Sequence, residues 1–207
     1  MSTLDRIPHH RLRREGGRVG VLVRSALPLL LIVGLARASD VDVTLDDTRG
    51  SCRVHGTFIV PVSDTVVWDV LADYDSIGQF VRSVRASRME RQADGRRLLR
   101  QDAVGGVFLF HRRMQVLLEI QEESGRRIGF RDVLGKDFRS YVGEWRIAAD
   151  PRGTQVVYEL EAEPRGAVAR ALCRGPLRNA ARDLLTQVRV EMLRRAGKAL
   201  RQPRTKS

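Results

Sequence analysis

The chain has 207 residues, with 37 Lys and Arg against 25 Asp and Glu, 43% apolar residues and two cysteines. That apolar content supports one domain of ordinary size around a buried core and excludes general disorder. Two cysteines are too few for a disulfide-built miniprotein or a Cys-rich zinc module.

The N-terminal stretch stands apart. Arg11, Arg13, Arg14, Arg18 and Arg24 lead into 12 uncharged residues, Ser25 to Ala36, followed by Arg37 and Ala38. As a helix that run spans roughly 18 Å, well short of the ~30 Å hydrocarbon core of a bilayer. A basic lead, a short apolar run and small residues at Ala36 and Ala38 are the pattern of a signal peptide over residues 1–38. The expectation is a periplasmic or secreted chain starting at Ser39. The rival is an uncleaved membrane anchor that recruits Val19 to Val23 with Arg24 snorkelling.

Without residues 1–38 the chain keeps 30 basic and 23 acidic residues, a net charge of +7. The surplus ends in Arg194, Arg195, Lys198, Arg201, Arg204 and Lys206. It reads as a solvated helix face followed by a disordered basic tail over 199–207, able to touch anionic lipid headgroups. No recognised motif accompanies the charge, so nucleic acid is not an expected partner. Cys52 and Cys173 lie 121 residues apart. They can pair in an oxidising compartment, or both can stay as buried thiols.

Residues 39–50 read as a lead-in to a domain over 51–198. Val54, Gly56, Phe58 and Val60 alternate with Arg53, His55, Thr57 and Ile59, a period-two strand that Pro61 stops. Ser63 is an N-cap with Asp64 in the first turn, and Val66, Val67, Trp68, Val70 and Leu71 make a short helix ending near Asp73. A second short helix is expected from Ser76 to Val81. From Val84 to Glu163 the chain reads as six strands, punctuated at 93–95, 105–106, 124–125, 135–136 and 150–153 by Gly, Asp and Pro turn signals. Gly175-Pro176 then starts a helix with Leu177, Ala181, Leu184, Leu185, Val188 and Met192 on one stripe.

The turns imply registers. A two-residue turn at Gly105-Gly106 sets Leu99, Gln101 and Ala103 against Arg112, Phe110 and Phe108. A turn at Gly135-Lys136 sets Asp132 against Arg139, Phe130 against Tyr141 and Ile128 against Gly143. A loop from Ala149 to Thr154 sets Trp145 against Tyr158. Each register joins apolar face to apolar face, which a one-residue slip would destroy. The inner face then carries Phe58, Phe108, Phe110, Met114, Leu118, Phe130, Tyr141, Trp145, Tyr158 and Leu160. The outer face carries His111, Arg113, Gln115, Arg127, Arg131, Glu144, Arg146, Glu159 and Glu161. The C-terminal helix is the long amphipathic element available to cover the apolar face.

The segment Val60-Pro-Val-Ser-Asp-Thr-Val-Val-Trp-Asp-Val-Leu-Ala-Asp-Tyr-Asp75, with Asp137-Phe-Arg-Ser-Tyr-Val-Gly-Glu-Trp-Arg-Ile147, resembles the SRPBCC or START-like superfamily. Its polyketide cyclase/dehydrase and coenzyme Q-binding branches are the most similar, over roughly His55 to Leu193. The resemblance implies an α+β helix-grip fold: a curved antiparallel seven-stranded sheet around a long C-terminal helix, with two short helices after the first strand. It also implies a tunnel between sheet and helix, used in that superfamily by carriers, sensors and enzymes alike. Trp68 and Asp73 read as structural, an indole packing the first helix and a carboxylate near its end.

The chemistry available is limited. His55 and His111 sit on outward faces and the cysteines lack ligand spacing, so neither a metal nor another cofactor is expected. No phosphate loop, nucleophile elbow or dinucleotide fingerprint occurs. Charge does interrupt the apolar face, at Arg112 and at an Asp132–Arg139 pair. These groups must be paired, solvated at a tunnel mouth or matched to a ligand's polar end. The candidate ligand-binding residues are Phe108, Phe110, Arg112, Met114, Phe130, Arg139, Tyr141, Trp145, Tyr158, Leu184 and Val188, with no catalytic residue assigned. The expected function is an exported, non-enzymatic carrier of a quinone, acyl or isoprenoid molecule. A cyclase/dehydrase-type enzyme using Tyr141 or Tyr158 on a polyketide-like substrate is the alternative. An envelope interaction module with a filled core is the third.

Overall fold

The computed structural model describes residues 41–48, 51–107, 110–165, 173 and 175–201, with side-chain surroundings for all but 48, 105–107, 110–112, 200 and 201. Residues 1–38, on which the export expectation rests, fall outside this range. In chain order the elements are β1 (Asp42–Thr48), β2 (Ser51–Val60), α1 (Asp64–Leu71), a 3-10 turn (Tyr74–Ser76), α2 (Ile77–Phe80), β3 (Val84–Arg91), β4 (Arg97–Val107), β5 (Phe110–Glu123), β6 (Arg127–Asp132), β7 (Phe138–Asp150), β8 (Gly153–Pro164) and α3 (Pro176–Arg201). The strands form one eight-stranded antiparallel sheet in the order β1-β2-β8-β7-β6-β5-β4-β3.

Local chemistry explains the elements. The Ser63 Oγ accepts from the Val66 N–H at 3.4 Å and caps α1, and Pro176 opens α3 where its missing N–H costs nothing. Val54, Phe58 and Val60 of β2 are buried while Arg53 and His55 face water.

Three expectations need correction. The sheet has eight strands, not seven, because the lead-in supplies β1, whose Val43 is buried and whose Leu45 packs on the core while its acidic residues stay out. The β4–β5 ladder runs past Gly105-Gly106, pairing Leu99 with Leu118, Ala103 with Met114, Gly105 with Arg112 and Val107 with Phe110. The β6–β7 connection is a five-residue loop, 133–137, so Phe130 opposes Gly143 rather than Tyr141 and Ile128 opposes Trp145. The β7–β8 register has Trp145 opposite Tyr158, as the turn at 150–153 implies.

Helix α3 crosses the concave side of the sheet. Its Ala181, Leu185, Val188 and Met192 are buried in a core that includes Val43, Val54, Val67 and Val70. The helix comes down onto β2 at Gly56, where a Cβ would stand 2.3 Å from Leu185 Cδ1. Polar ties fix it along its length. The Cys52–Cys173 disulfide and a 3.0 Å bond from Arg178 Nε to the Val43 carbonyl hold its start. Near its end Arg195 donates to Asp73 at 2.8 Å, to Glu191 at 2.7 Å and to the Asp69 carbonyl at 3.2 Å. Trp68 is half-buried against the same core, and Asp73 is the carboxylate that receives Arg195.

Candidate functional site

Between the sheet and the first three turns of α3 lies a cavity of about 240 Å³. Its floor is the inner face of β4 to β8, with Leu99, Met114, Val116, Leu118, Ile128, Phe130, Tyr141, Trp145, Tyr158 and Leu160. Its roof is Leu177, Ala180, Ala181 and Leu184, and Leu71, Tyr74, Ile77 and Val81 form one side. Ser83 and Ala180 line the cavity yet remain exposed, which places an opening between the α2–β3 loop and the start of α3. The two elements are joined below that opening, where the Arg82 N–H donates to Gln187 Oε1 at 2.9 Å.

Helical phase explains why the roof is not packed solid. Leu177, Ala181 and Leu184 turn toward the cavity, whereas Leu185, Val188 and Met192 fill the core over β1, β2 and α1. Small side chains at Ala180 and Ala181 leave space that a leucine would occupy.

The aromatic wall is continuous. Trp145 and Tyr158 ring centroids are 4.6 Å apart, Phe130 lies 6.1 Å from Tyr158 and 6.0 Å from Tyr141, and Phe138 lies 4.8 Å from Tyr141. The Tyr141 and Tyr158 hydroxyls are hydrogen-bonded to each other. Burial pushes both phenols above their ordinary range; the bond from Tyr158 partly offsets this for Tyr141, and Tyr158 is raised further. Both are therefore neutral hydrogen-bonding groups at physiological pH. Gln101 and Ser83 add polar atoms elsewhere on the wall.

A second polar group closes the far end of the inner face. The Tyr74 hydroxyl donates to Glu122, Arg97 pairs with the same carboxylate, and the guanidinium lies 5.6 Å from the Tyr74 ring centroid. Burial, then the bond to Glu122, drives the Tyr74 phenol far up. Sequence reasoning passed over this cluster, although Arg97 and Glu122 continue the inward phase of Leu99 and of Leu118 and Ile120. Among the described residues no three His, Cys, Asp or Glu side chains converge as metal ligands would.

Of the candidate ligand-binding residues, Met114, Phe130, Tyr141, Trp145, Tyr158 and Leu184 line the cavity. Val188 does not; it is sealed in the core beside Leu185. Phe108 and the side chains of Phe110 and Arg112 lie outside the described residues. The Asp132–Arg139 pair does not form. A β-bulge between Phe138 and Ser140 turns Phe138 inward and leaves Arg139 exposed, pairing with Glu163 at 3.0 Å. Asp132 instead accepts the Leu117, Leu134 and Gly135 N–H groups at 2.9, 3.1 and 3.0 Å. The interior charge expected from that pair is thus a surface ion pair and a loop-fixing carboxylate.

A curved antiparallel sheet gripping one long helix over an apolar cavity is the helix-grip, START-like architecture, a design that holds hydrophobic ligands. The chain belongs to the family described as polyketide cyclase/dehydrase and lipid transport, whose sequence pattern matches residues 51–197. Its fold is similar to that of the Zhui aromatase/cyclase from Streptomyces sp. R1128 (19% identity, 73% of this chain and 96% of that one, TM-score 0.58). It is similar also to a STAR-related lipid transfer protein from Xanthomonas axonopodis (16%, 75% and 99%, 0.51) and to human STARD10 (12%, 77% and 76%, 0.57). At these identities the likeness is one of fold. No curated protein matches the chain.

Proposed function

We propose that this protein is an exported, non-enzymatic carrier that holds one lipid-like molecule between the sheet and α3. The observation that carries the reading is the cavity of about 240 Å³, walled almost throughout by apolar side chains beneath a helix that sets two alanines, Ala180 and Ala181, between Leu177 and Leu184. Apolar burial at ~25 cal/mol per Å² supplies the binding free energy, less the cost of ordering the guest. The volume lies below the ~300–1,000 Å³ of drug-sized pockets. It favours a quinone ring, a single acyl chain or a short isoprenoid over a two-tailed phospholipid held whole. The neutral Tyr141–Tyr158 pair suits such a guest, since it can hydrogen-bond a carbonyl or hydroxyl without demanding a counter-charge. The Cys52–Cys173 bond supports export, because structural disulfides persist in oxidising compartments.

A cyclase/dehydrase-type enzyme is the second reading, favoured by the two phenols on the cavity wall and by the fold shared with an aromatase/cyclase. Against it, the two buried phenols are hydrogen-bonded to each other, and no base or charged group beside them in the cavity lining would take up or return a proton. Native mass spectrometry of the protein purified from its host tests the carrier reading. An apolar molecule of one chain or ring system is expected to co-purify and to be absent from Leu184→Trp, which fills the cavity. Protein that is repeatedly empty, or a Tyr141→Phe variant that loses turnover of a candidate polyketide, would overturn it.

A further inference from the structure

We propose that the mouth end of the sheet docks on an anionic lipid bilayer, with Val133 and Leu134 entering the interface and Arg113, Lys136 and Arg165 facing the phosphates. The proposal deepens the carrier reading and rests on it, since it says where the cavity meets its source of guests.

The loop between β6 and β7 presents two adjacent apolar side chains to water, Val133 at 41% and Leu134 at 40% exposure. It is fixed in that pose. Asp132 accepts the Leu134 and Gly135 N–H groups, and Asp137 accepts the Gln115 N–H at 3.0 Å. Arg165 Nε donates to the Gly135 carbonyl at 2.9 Å, and the Val133 N–H donates to the Leu117 carbonyl at 2.8 Å. Backbone so tied cannot fold the two side chains back into the core. Phe138, the first residue after the loop, lines the cavity, so the loop continues directly from the cavity wall at the same end of the sheet as Val84 and the start of α3.

Three cations around it are held by neutral groups or left in water. Lys136 Nζ donates to the Gln115 amide oxygen at 2.6 Å and Arg165 donates to carbonyls. Among the described residues neither these two nor the exposed Arg113 forms an ion pair with a carboxylate. Exposed Arg82 and Arg85 stand across the opening. At the opposite end of the sheet two of the three turns neutralise themselves, through Arg96–Asp94 at 2.7 Å and Arg152–Asp150 at 3.0 Å, and the third presents Arg126 with no exposed large apolar side chain beside it. This end of the sheet therefore combines cations that have no carboxylate partner among the described residues with exposed apolar side chains.

That combination fits a bilayer better than a protein. A stable protein interface covers ~800 Å² per partner, far more than two side chains provide. A membrane surface needs only a small apolar insertion plus cations, each near-surface Lys or Arg strengthening attachment to anionic lipid about fivefold. Docked this way, the mouth opens onto the headgroup layer from which a single-chain or ring-shaped guest would be drawn.

The test places an environment-sensitive nitrobenzoxadiazole label on the full chain at Leu134→Cys, with Ala93→Cys at the opposite end as control. The two native cysteines are bonded to each other, so each variant offers one thiol. The probes are vesicles of phosphatidylcholine alone and of equal phosphatidylcholine and phosphatidylglycerol. The Leu134 label is expected to brighten severalfold and shift to the blue with the anionic vesicles only, while the Ala93 label stays solvent-like. Replacing both Arg113 and Lys136 by Gln should weaken the response about 25-fold. The proposal is overturned if the Leu134 label stays in water while the protein floats with the vesicles, or if both labels respond equally. The first result means attachment through another surface. Should an apolar guest still co-purify in either case, docking fails and the carrier reading stands.

Discussion

Tyr141 and Tyr158 sit on the cavity wall and Tyr74 at its far end, and in all three burial is the largest force resisting ionisation. The consequence is a definite pH dependence. A phenol whose folded pKa is raised keeps its proton when the unfolded chain has lost it, so its contribution is fully present below ~10 and declines as pH climbs above that value. Stability should fall from about pH 10 upward, and the fall should accompany phenolate formation rather than follow it. Absorbance at the phenolate band and circular dichroism, recorded together, check this: the native chain is expected to show almost no phenolate where free tyrosine is half-ionised, and both signals should then move in one step. Stepwise phenolate appearance with an intact fold would mean that the tyrosines are solvated. The inward placement of Tyr141 and Tyr158 was legible from alternation, but their mutual hydrogen bond was not. It depends on the diagonal reach of two side chains on paired strands, which no linear pattern encodes. Arg139 shows the complementary failure, because one bulge residue reversed its face while the chemistry of neighbouring residues gave no sign of it.

At the scale of elements, the sheet was readable and its ladders only partly so. The β4–β5 register expected from Gly105-Gly106 was wrong by six partner positions, yet an even displacement returns every side chain to its own face, so the apolar surface survived the error. β1 escaped notice because it is an acidic edge strand with few apolar positions, made stable by the free edge that β2 offers. The long helix was plain from its stripe, but the division of that stripe into roof and core depends on where the helix crosses the sheet. The Cys52–Cys173 bond fixes that crossing, joining β2 to a residue three positions before α3 with a Cα separation of 5.4 Å. Closing a loop of 121 residues removes unfolded-state entropy equivalent to ~4 to 5 kcal/mol. Cys52→Ser with Cys173→Ser should therefore lower the urea midpoint sharply and loosen the roof. Hydrogen exchange is expected to quicken at residues 177–184 more than at 188–195, which Arg189 and Arg195 still tie to the Ile59 carbonyl, Asp69 and Asp73. Uniform quickening along α3 would show that the bond does not act locally.

For the whole molecule, the question is whether the space under α3 is a binding site or a packing remainder, and thermodynamic linkage decides it. A guest that binds the folded chain alone adds RT ln(1 + [L]/Kd), ~2.7 kcal/mol at a hundredfold excess over Kd. For a domain of this size each kcal/mol raises Tm by about 2 to 4 °C. Menaquinone-like naphthoquinones, medium-chain fatty acids and short prenols should therefore raise Tm by roughly 5 to 10 °C at such an excess. Two-tailed phospholipids in monomeric form should do much less, because about 240 Å³ cannot take both chains. Leu184→Trp supplies the control. Its side chain lies on the roof, only partly buried, so the larger indole can enter the void without displacing β2, and the variant should fold while losing the ligand-induced shift. An unchanged shift in that variant would place the guest elsewhere on the surface. If instead the variant melted higher than the parent with and without guest, the void would be the weakness expected of a site kept open for a ligand, since filling an empty apolar cavity restores contacts that packing alone would have retained.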